Sequence, residues 1–133
     1  MSETSSLLQA TALSTALTVQ DLPNSMAWYR DVLGFTVEDQ HEHEGVLVGA
    51  ALRSGNVRVL LNQDDGGLGW ERQKGEGFSI HLVTDRETVD AVADRIKEAG
   101  GTLDVEPVDA SWGPRMTRFR DPDGFKWVVL SGD

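Results

Sequence analysis

A chain of 133 residues is one domain's worth of polypeptide, with room for a real core but not for two large independent ones. Its 39% apolar and 26% charged content exclude wholesale disorder, and no run nears the roughly 18 apolar residues that cross a bilayer. The formal charge of −10 counts against nucleic acid or an anionic membrane as partner, because both select Lys/Arg surfaces; it is compatible with a cationic ligand, or with solubility alone. There is no cysteine, hence no disulfide or thiolate chemistry, and Met1-Ser2-Glu3-Thr4 lacks the positive n-region of a secretory signal. Both fit a cytoplasmic protein.

Residues 1 to about 11 are polar and small, and read as a loosely docked terminus. Leu13 to Val19 alternates weakly and predicts a first strand. Asp21 is placed to cap a helix, Pro23 suits its first turn, and Met26, Tyr29 and Leu33 share one face. Gly34 supplies the left-handed stop. Strands follow at Phe35–His41, Gly45–Arg53 and Asn56–Leu61, with Ser54-Gly55-Asn56 as a hairpin turn. The stretch from Asn62 to Gly77, rich in Gly, Asp and charge, reads as a linker. Phe78 to Val83 predicts the next strand. Val89, Val92, Ile96 and Ala99 form a helical stripe closed by Gly100-Gly101, and Leu103–Glu106, Arg115–Arg120 and Lys126–Leu130 predict the last three strands.

The same order of elements is therefore stated twice, as strand, helix, three strands. Asp21 and Asp85 lie 64 residues apart, Gly34 and Gly100 lie 66 apart, and Leu60 and Val128 lie 68 apart. An offset that drifts by small steps is what loop insertions leave in a duplication, and a duplication implies a pseudo-twofold molecule.

The residues that carry the repeat also carry a resemblance. Val19-Gln20-Asp21-Leu22 with Ser25, Trp28-Tyr29 and Leu33-Gly34-Phe35 resembles the opening of a vicinal oxygen chelate module. Ala99-Gly100-Gly101 with Trp112-Gly113 and Phe119-Arg120-Asp121-Pro122-Asp123-Gly124-Phe125-Lys126-Trp127 resembles its closing. This is the glyoxalase, bleomycin-resistance and extradiol-dioxygenase superfamily. The resemblance covers roughly Leu13 to Leu130 and implies an α+β fold of tandem βαβββ modules, with curved mixed sheets around a cleft and helices outside. It places a single domain over 1–133, with module one at about 12–62, a linker at about 63–77 and module two at about 78–131. It also implies a homodimer.

Metal enzymes of that superfamily usually place a His on the first strand and a Glu on the last strand of each module. Here the four positions fall at Ser14, near Leu60, at Phe78 or Ser79 (with His81 close beyond), and at Val128. Leu and Val offer no donor to a divalent ion. The expectation is no family-type metal centre and no cofactor. His41 and His43 share a strand face and resemble a weak Zn or Ni pair, but Gly45 follows at once and a solvated hairpin end explains them. Asp121-Pro122-Asp123-Gly124 lacks the rest of a calcium loop, and turn chemistry accounts for it. No nucleophile elbow, P-loop or dinucleotide-binding glycine pattern is present.

Four Trp in 133 residues is an enrichment. Trp127 alternates with Val128 and reads as core, and Trp28 suits packing on the sheet. Trp70 and Trp112 fall in loops, where they either stack a planar ligand or cap an open end of the core, and Arg115 follows Trp112 into a strand. The candidate ligand-binding set is thus Ser14, Leu60, Asn62, Trp70, His81, Trp112, Arg115 and Val128, with no catalytic residue identified. The expected function is metal-independent binding of a small cationic or aromatic molecule in the inter-module cleft. The alternative is a lyase, isomerase or dioxygenase with a rearranged site around His81, where the imidazole would bind metal or act as a base.

Overall fold

The computed structural model describes residue 7 and residues 12–65 and 77–132. The first half contains β1 (Thr15–Val19), α1 (Leu22–Asp31), β2 (Thr36–His43), β3 (Val46–Ser54) and β4 (Val57–Gln63). The second contains β5 (Ile80–Thr84), α2 (Arg86–Glu98), β6 (Leu103–Asp109), β7 (Arg115–Arg120) and β8 (Lys126–Ser131). Each half folds into a four-stranded mixed sheet of the same topology, β1-β4-β3-β2 in one and β5-β8-β7-β6 in the other. The first strand pairs parallel with the last, and the other pairs are antiparallel. The α+β class and the repeated βαβββ order stand as expected from the sequence.

Capping chemistry sets the helices. The Asp21 carboxylate accepts from Asn24 N at 3.1 Å and the Asp85 carboxylate accepts from Thr88 N at 2.8 Å, which satisfies N–H groups that a first helical turn leaves without partners. Leu22, Ser25, Met26 and Tyr29 form the buried stripe of α1, and Val89, Ala93 and Ile96 that of α2. Helix α1 ends two residues earlier than its apolar spacing suggests: Asp31 is its last residue, Val32 its cap, and Leu33 already belongs to the exit toward Gly34 at φ +84°. Strand β6 runs past Pro107, where the sequence suggested a stop. It is an edge strand, and its register shifts between Val105 and Val108, so the missing N–H of Pro107 costs no ladder bond.

Gly101 lies against the end of α2. A Cβ there would sit 2.9 Å from Ile96 Cγ2 and 3.1 Å from the Ile96 carbonyl oxygen, so the backbone itself must move to admit it. Gly101→Ala is expected to cost about 1–3 kcal/mol, read as a lowered urea midpoint at unchanged slope.

Helix α1 packs on β2, β3 and β4, and α2 on β6, β7 and β8. One core runs under both helices, from Leu17, Leu52 and Leu61 to Phe119, Trp127 and Val129. No strand pairs across the two sheets among the described residues, so the halves are joined by side chains. The β7–β8 turn fastens onto the first half: Gln20 N donates to Asp123 Oδ1 at 2.9 Å, and Tyr29 OH donates to Asp121 Oδ2 at 2.5 Å. The β3–β4 turn reciprocates, with Ser54 to Val57 lining a hollow with Leu82, Thr88 and Val92 of the second half. That reciprocity is the pseudo-twofold relation expected of a duplication. Among the described residues, no helix is long and apolar enough to cross a membrane.

Candidate functional site

Strand alternation gives each sheet two faces, and the helices occupy one. On the other face of the first sheet, the pairing aligns Thr18, Asn62, Gly49 and His41 in one row, and Ala16, Leu60, Ala51 and Asp39 in the next. These residues are small or uncharged apart from His41 and Asp39. Gly49 has a positional reason: a Cβ there would meet Asn62 Oδ1 at 3.4 Å and His41 Cδ2 at 3.7 Å. Its absence lets the amide and the imidazole lie over the strand. Ser14 stands just before β1, in line with Ala16 and Thr18, and is exposed. Ser14, Leu60 and Asn62 are thus brought to one face.

On the corresponding face of the second sheet, one row reads His81, Val128, Arg118, Val105 and the next reads Val83, Leu130, Met116, Val108. Lys126 pairs with Arg120 at the other end of the same face. His81 and Val128 are therefore neighbours, as the sequence suggested, and Ser79 Oγ lies 3.0 Å from His81 Nε2. Val128 is only 4% exposed, so it forms the floor. Two hollows open here. One of about 540 Å³ is lined by Phe78, Ser79, Arg118, Lys126 and Val128 among others. The second, of about 750 Å³, lies between the first half's Leu13, Thr15 and Val57–Val59 and the segment Phe78–Val83.

Two expected contributors are elsewhere. Arg115 has the parity of buried Thr117 and Phe119, so it points to the helix side. There its Nε and Nη2 grip the two Asp90 oxygens at 2.8 and 2.9 Å, and its Nη1 reaches Asp109 at 3.2 Å. The hydrogen bonds it donates to Asp90, then the one to Asp109, hold the guanidinium far above its ordinary range, and the same fork lowers the Asp90 carboxyl. Arg115 ties α2 to the β6–β7 hairpin and does not reach the open face. Trp112 sits in the turn between β6 and β7, is 69% exposed, and lines neither hollow. It neither caps the core nor joins His81 and Val128. Trp70 lies outside the described residues.

What the sequence reading passed over is Arg118 with Lys126. The signal was present: Trp127 and Val129 are core, so Lys126 and Val128 must face the other way, and antiparallel pairing puts Arg118 beside Val128. The histidine pair at the hairpin end is dispersed, with His41 Nε2 3.8 Å from Asp39 and His43 Nε2 4.0 Å from Glu44. Among the described residues, no group of three His, Asp or Glu side chains is placed to hold an ion.

Two four-stranded mixed sheets of identical topology, each with a helix packed on one face, define a paired βαβββ protein. The sequence pattern of the Glyoxalase/Bleomycin resistance protein/Dioxygenase superfamily matches residues 11–129, and the chain belongs to that superfamily. An uncharacterized protein of Mycobacterium bovis is 34% identical over 128 residues, covering 89% of this chain and 81% of its own. A probable lactoylglutathione lyase of Synechocystis is 28% identical over 127 residues, covering 89% and 92%. Among solved structures, TioX from Micromonospora sp. ML1 superposes with a TM-score of 0.71 at 20% identity over 92% of this chain and 98% of its own, a likeness of fold.

The superfamily's metal chemistry can be tested against the donors present. Leu60 lies between Ala16 and Ala51, and Val128 lies between His81 and Arg118. Neither side chain has an oxygen or nitrogen, and only hydroxyls or one imidazole stand at the remaining positions. This donor set does not fit a resident divalent ion held in the superfamily's manner.

Proposed function

We propose that this chain is a metal-independent binding protein for a small organic molecule, held on the open sheet faces and enclosed when a second copy closes the groove. The observation that carries the reading is Leu60 and Val128: the two positions where a metal enzyme of this superfamily would present carboxylates are apolar and lie on the open faces. An apolar floor with a few polar groups, here Asn62, His81 and Ser79, is the usual make-up of a small-molecule site. Dimerisation is proposed from the superfamily resemblance and from sheet faces that no described helix or strand of the same chain covers. A cytoplasmic location fits the absence of cysteine.

The test is a thermal-shift screen of small organic compounds on EDTA-treated protein, with the oligomeric state read by light scattering. Hits are expected without metal, at twice the chain mass, and are expected to be lost in Ala16→Trp, which fills the exposed face of β1 without touching the core. Stabilisation that appears only after addition of one equivalent of Zn or Ni would reject the reading.

One contact favours a second reading. The Ser79 hydroxyl 3.0 Å from His81 Nε2 orients an imidazole on the open face, where it can take a carbon-bound proton without a metal. Two curated relatives carry the name probable lactoylglutathione lyase. Turnover of lactoylglutathione by EDTA-treated protein, abolished in His81→Gln, would establish this reading over pure binding.

A further inference from the structure

The net charge of −10 suggests a cation as ligand, but the charges nearest the groove have the opposite sign. The hollow beside Val128 is lined by Arg118, Arg120 and Lys126 against a single carboxylate, Asp104. That carboxylate is already engaged, accepting from Arg120 Nε at 3.1 Å. Arg118 and Lys126 have no acidic partner among the described residues, whereas Arg53 and Arg58 on the first sheet share Glu38. In a chain this acidic, two cations on one strand face with no acidic partner among the described residues are conspicuous. Screening decides which charges matter: at physiological salt the Debye length is about 8 Å, so acids spread over the rest of the surface are damped while those lining the hollow act directly.

The same face is graded. Lys126 and Arg120 stand at one end, His81, Val128 and Arg118 in the middle, and Val83, Leu130, Met116 and Val108 at the other. At that apolar end Val83 is 67% exposed and Val108 45%. A molecule with an apolar or aromatic body and one anionic end matches that gradient in both chemistry and direction.

We infer that the ligand is an organic anion, its carboxylate or phosphate oxygens held by Arg118 and Lys126 and its apolar body lying toward Val83 and Met116. A guanidinium with no partner among the described residues can give two parallel hydrogen bonds to such a group, and the ammonium adds a second positive charge. This inference rests on the groove reading above and specifies the charge of its occupant.

The experiment compares 2-naphthoate, 1-naphthyl phosphate, 2-naphthamide and 2-naphthylmethylammonium on the full chain by calorimetry, with amide shifts mapped by NMR. Expected is binding of at least one anion that shifts Phe78, His81 and Val128, at least tenfold tighter than the amide or the ammonium, and weakened by salt. Whichever anion binds more tightly distinguishes carboxylate from phosphate. Arg118→Gln, at an exposed residue with no partner among the described residues, is expected to keep the melting temperature and to weaken the anion about tenfold while leaving the amide unchanged. Equal or tighter binding of the amide or ammonium at the same residues, or an anion affinity indifferent to Arg118→Gln, overturns the anion assignment and leaves the groove standing. If none of the four compounds shifts those residues, both the anion assignment and the groove reading fall.

Discussion

Asp121→Ala is expected to lower folding stability by about 4 kcal/mol, a melting temperature drop of roughly 12 °C, although Asp121 belongs to a turn. Its side chain is 5% exposed and accepts three hydrogen bonds: from Tyr29 OH at 2.5 Å, Phe125 N at 2.8 Å and Asp123 N at 3.0 Å. Tyr29 OH in turn accepts from Trp127 Nε1 at 3.1 Å, deep in the core. Alanine leaves the three donors without an acceptor, and no water can replace it for a fully buried tyrosine. Tyr29→Phe orphans one carboxylate oxygen and one indole N–H and is expected to cost about 1–2 kcal/mol. A double-mutant cycle should show strong non-additivity, since both changes cut the same bond. Additive losses in urea titrations would mean that the Tyr29–Asp121 bond does not couple the halves, leaving the Gln20–Asp123 contact and apolar packing to hold them.

The same network sets a pH signature. Burial raises the Asp121 carboxyl above its ordinary value, more than its hydrogen bonds lower it, and burial followed by the charge of Asp121 raises the Tyr29 phenol. A raised carboxyl holds its proton in the folded state after the unfolded chain has released it at about pH 3.9, so its contribution is full below that pH and declines as pH rises through the folded value. Asp31, Asp85 and Asp90 act in the opposite sense: each is lowered by a hydrogen-bonding partner, so their contribution is lost as pH falls. The difference between wild type and Asp121→Asn should therefore slope downward with rising pH from about 4, and a flat difference would show the carboxyl titrating as it does in water.

Why the fold was legible and this junction was not follows from range. Helix caps at Asp21 and Asp85, stops at Gly34 and Gly100, and the spacing of Val89, Val92 and Ile96 are written within a few residues of where they act, so the repeated element order could be read directly. Asp121-Pro122-Asp123-Gly124 satisfies a local turn so completely that nothing in it announces a partner in the other half of the chain. Tyr29 is 92 residues away, and no periodicity links them. The same reasoning explains Trp112. A large aromatic in a loop signals either burial or ligand contact; the structure rules out burial, leaving Trp112 exposed, lining neither hollow, and beside a backbone carbonyl, Gly113 O, that Arg86 engages at 3.4 Å.

Two arginines three residues apart on β7 are expected to give opposite phenotypes, because an odd spacing on a strand places side chains on opposite faces. Arg115, first suspected of reaching a ligand, is on the helix side in a fork with Asp90 and a contact to Asp109. Arg115→Gln removes the fork on Asp90 and leaves Asp109 to Arg86 alone, so the expected result is a lowered melting temperature with ligand affinity unchanged. Arg118, aligned with Val128 and Val105 on the open face, has no such ion pair among the described residues. Arg118→Gln should leave the melting temperature alone and weaken an anionic ligand about tenfold. Measuring melting and binding on both variants separates the roles without reference to the natural ligand's identity. If Arg115→Gln instead weakened binding at constant stability, the β6–β7 hairpin, and Trp112 with it, would have to be part of the ligand site.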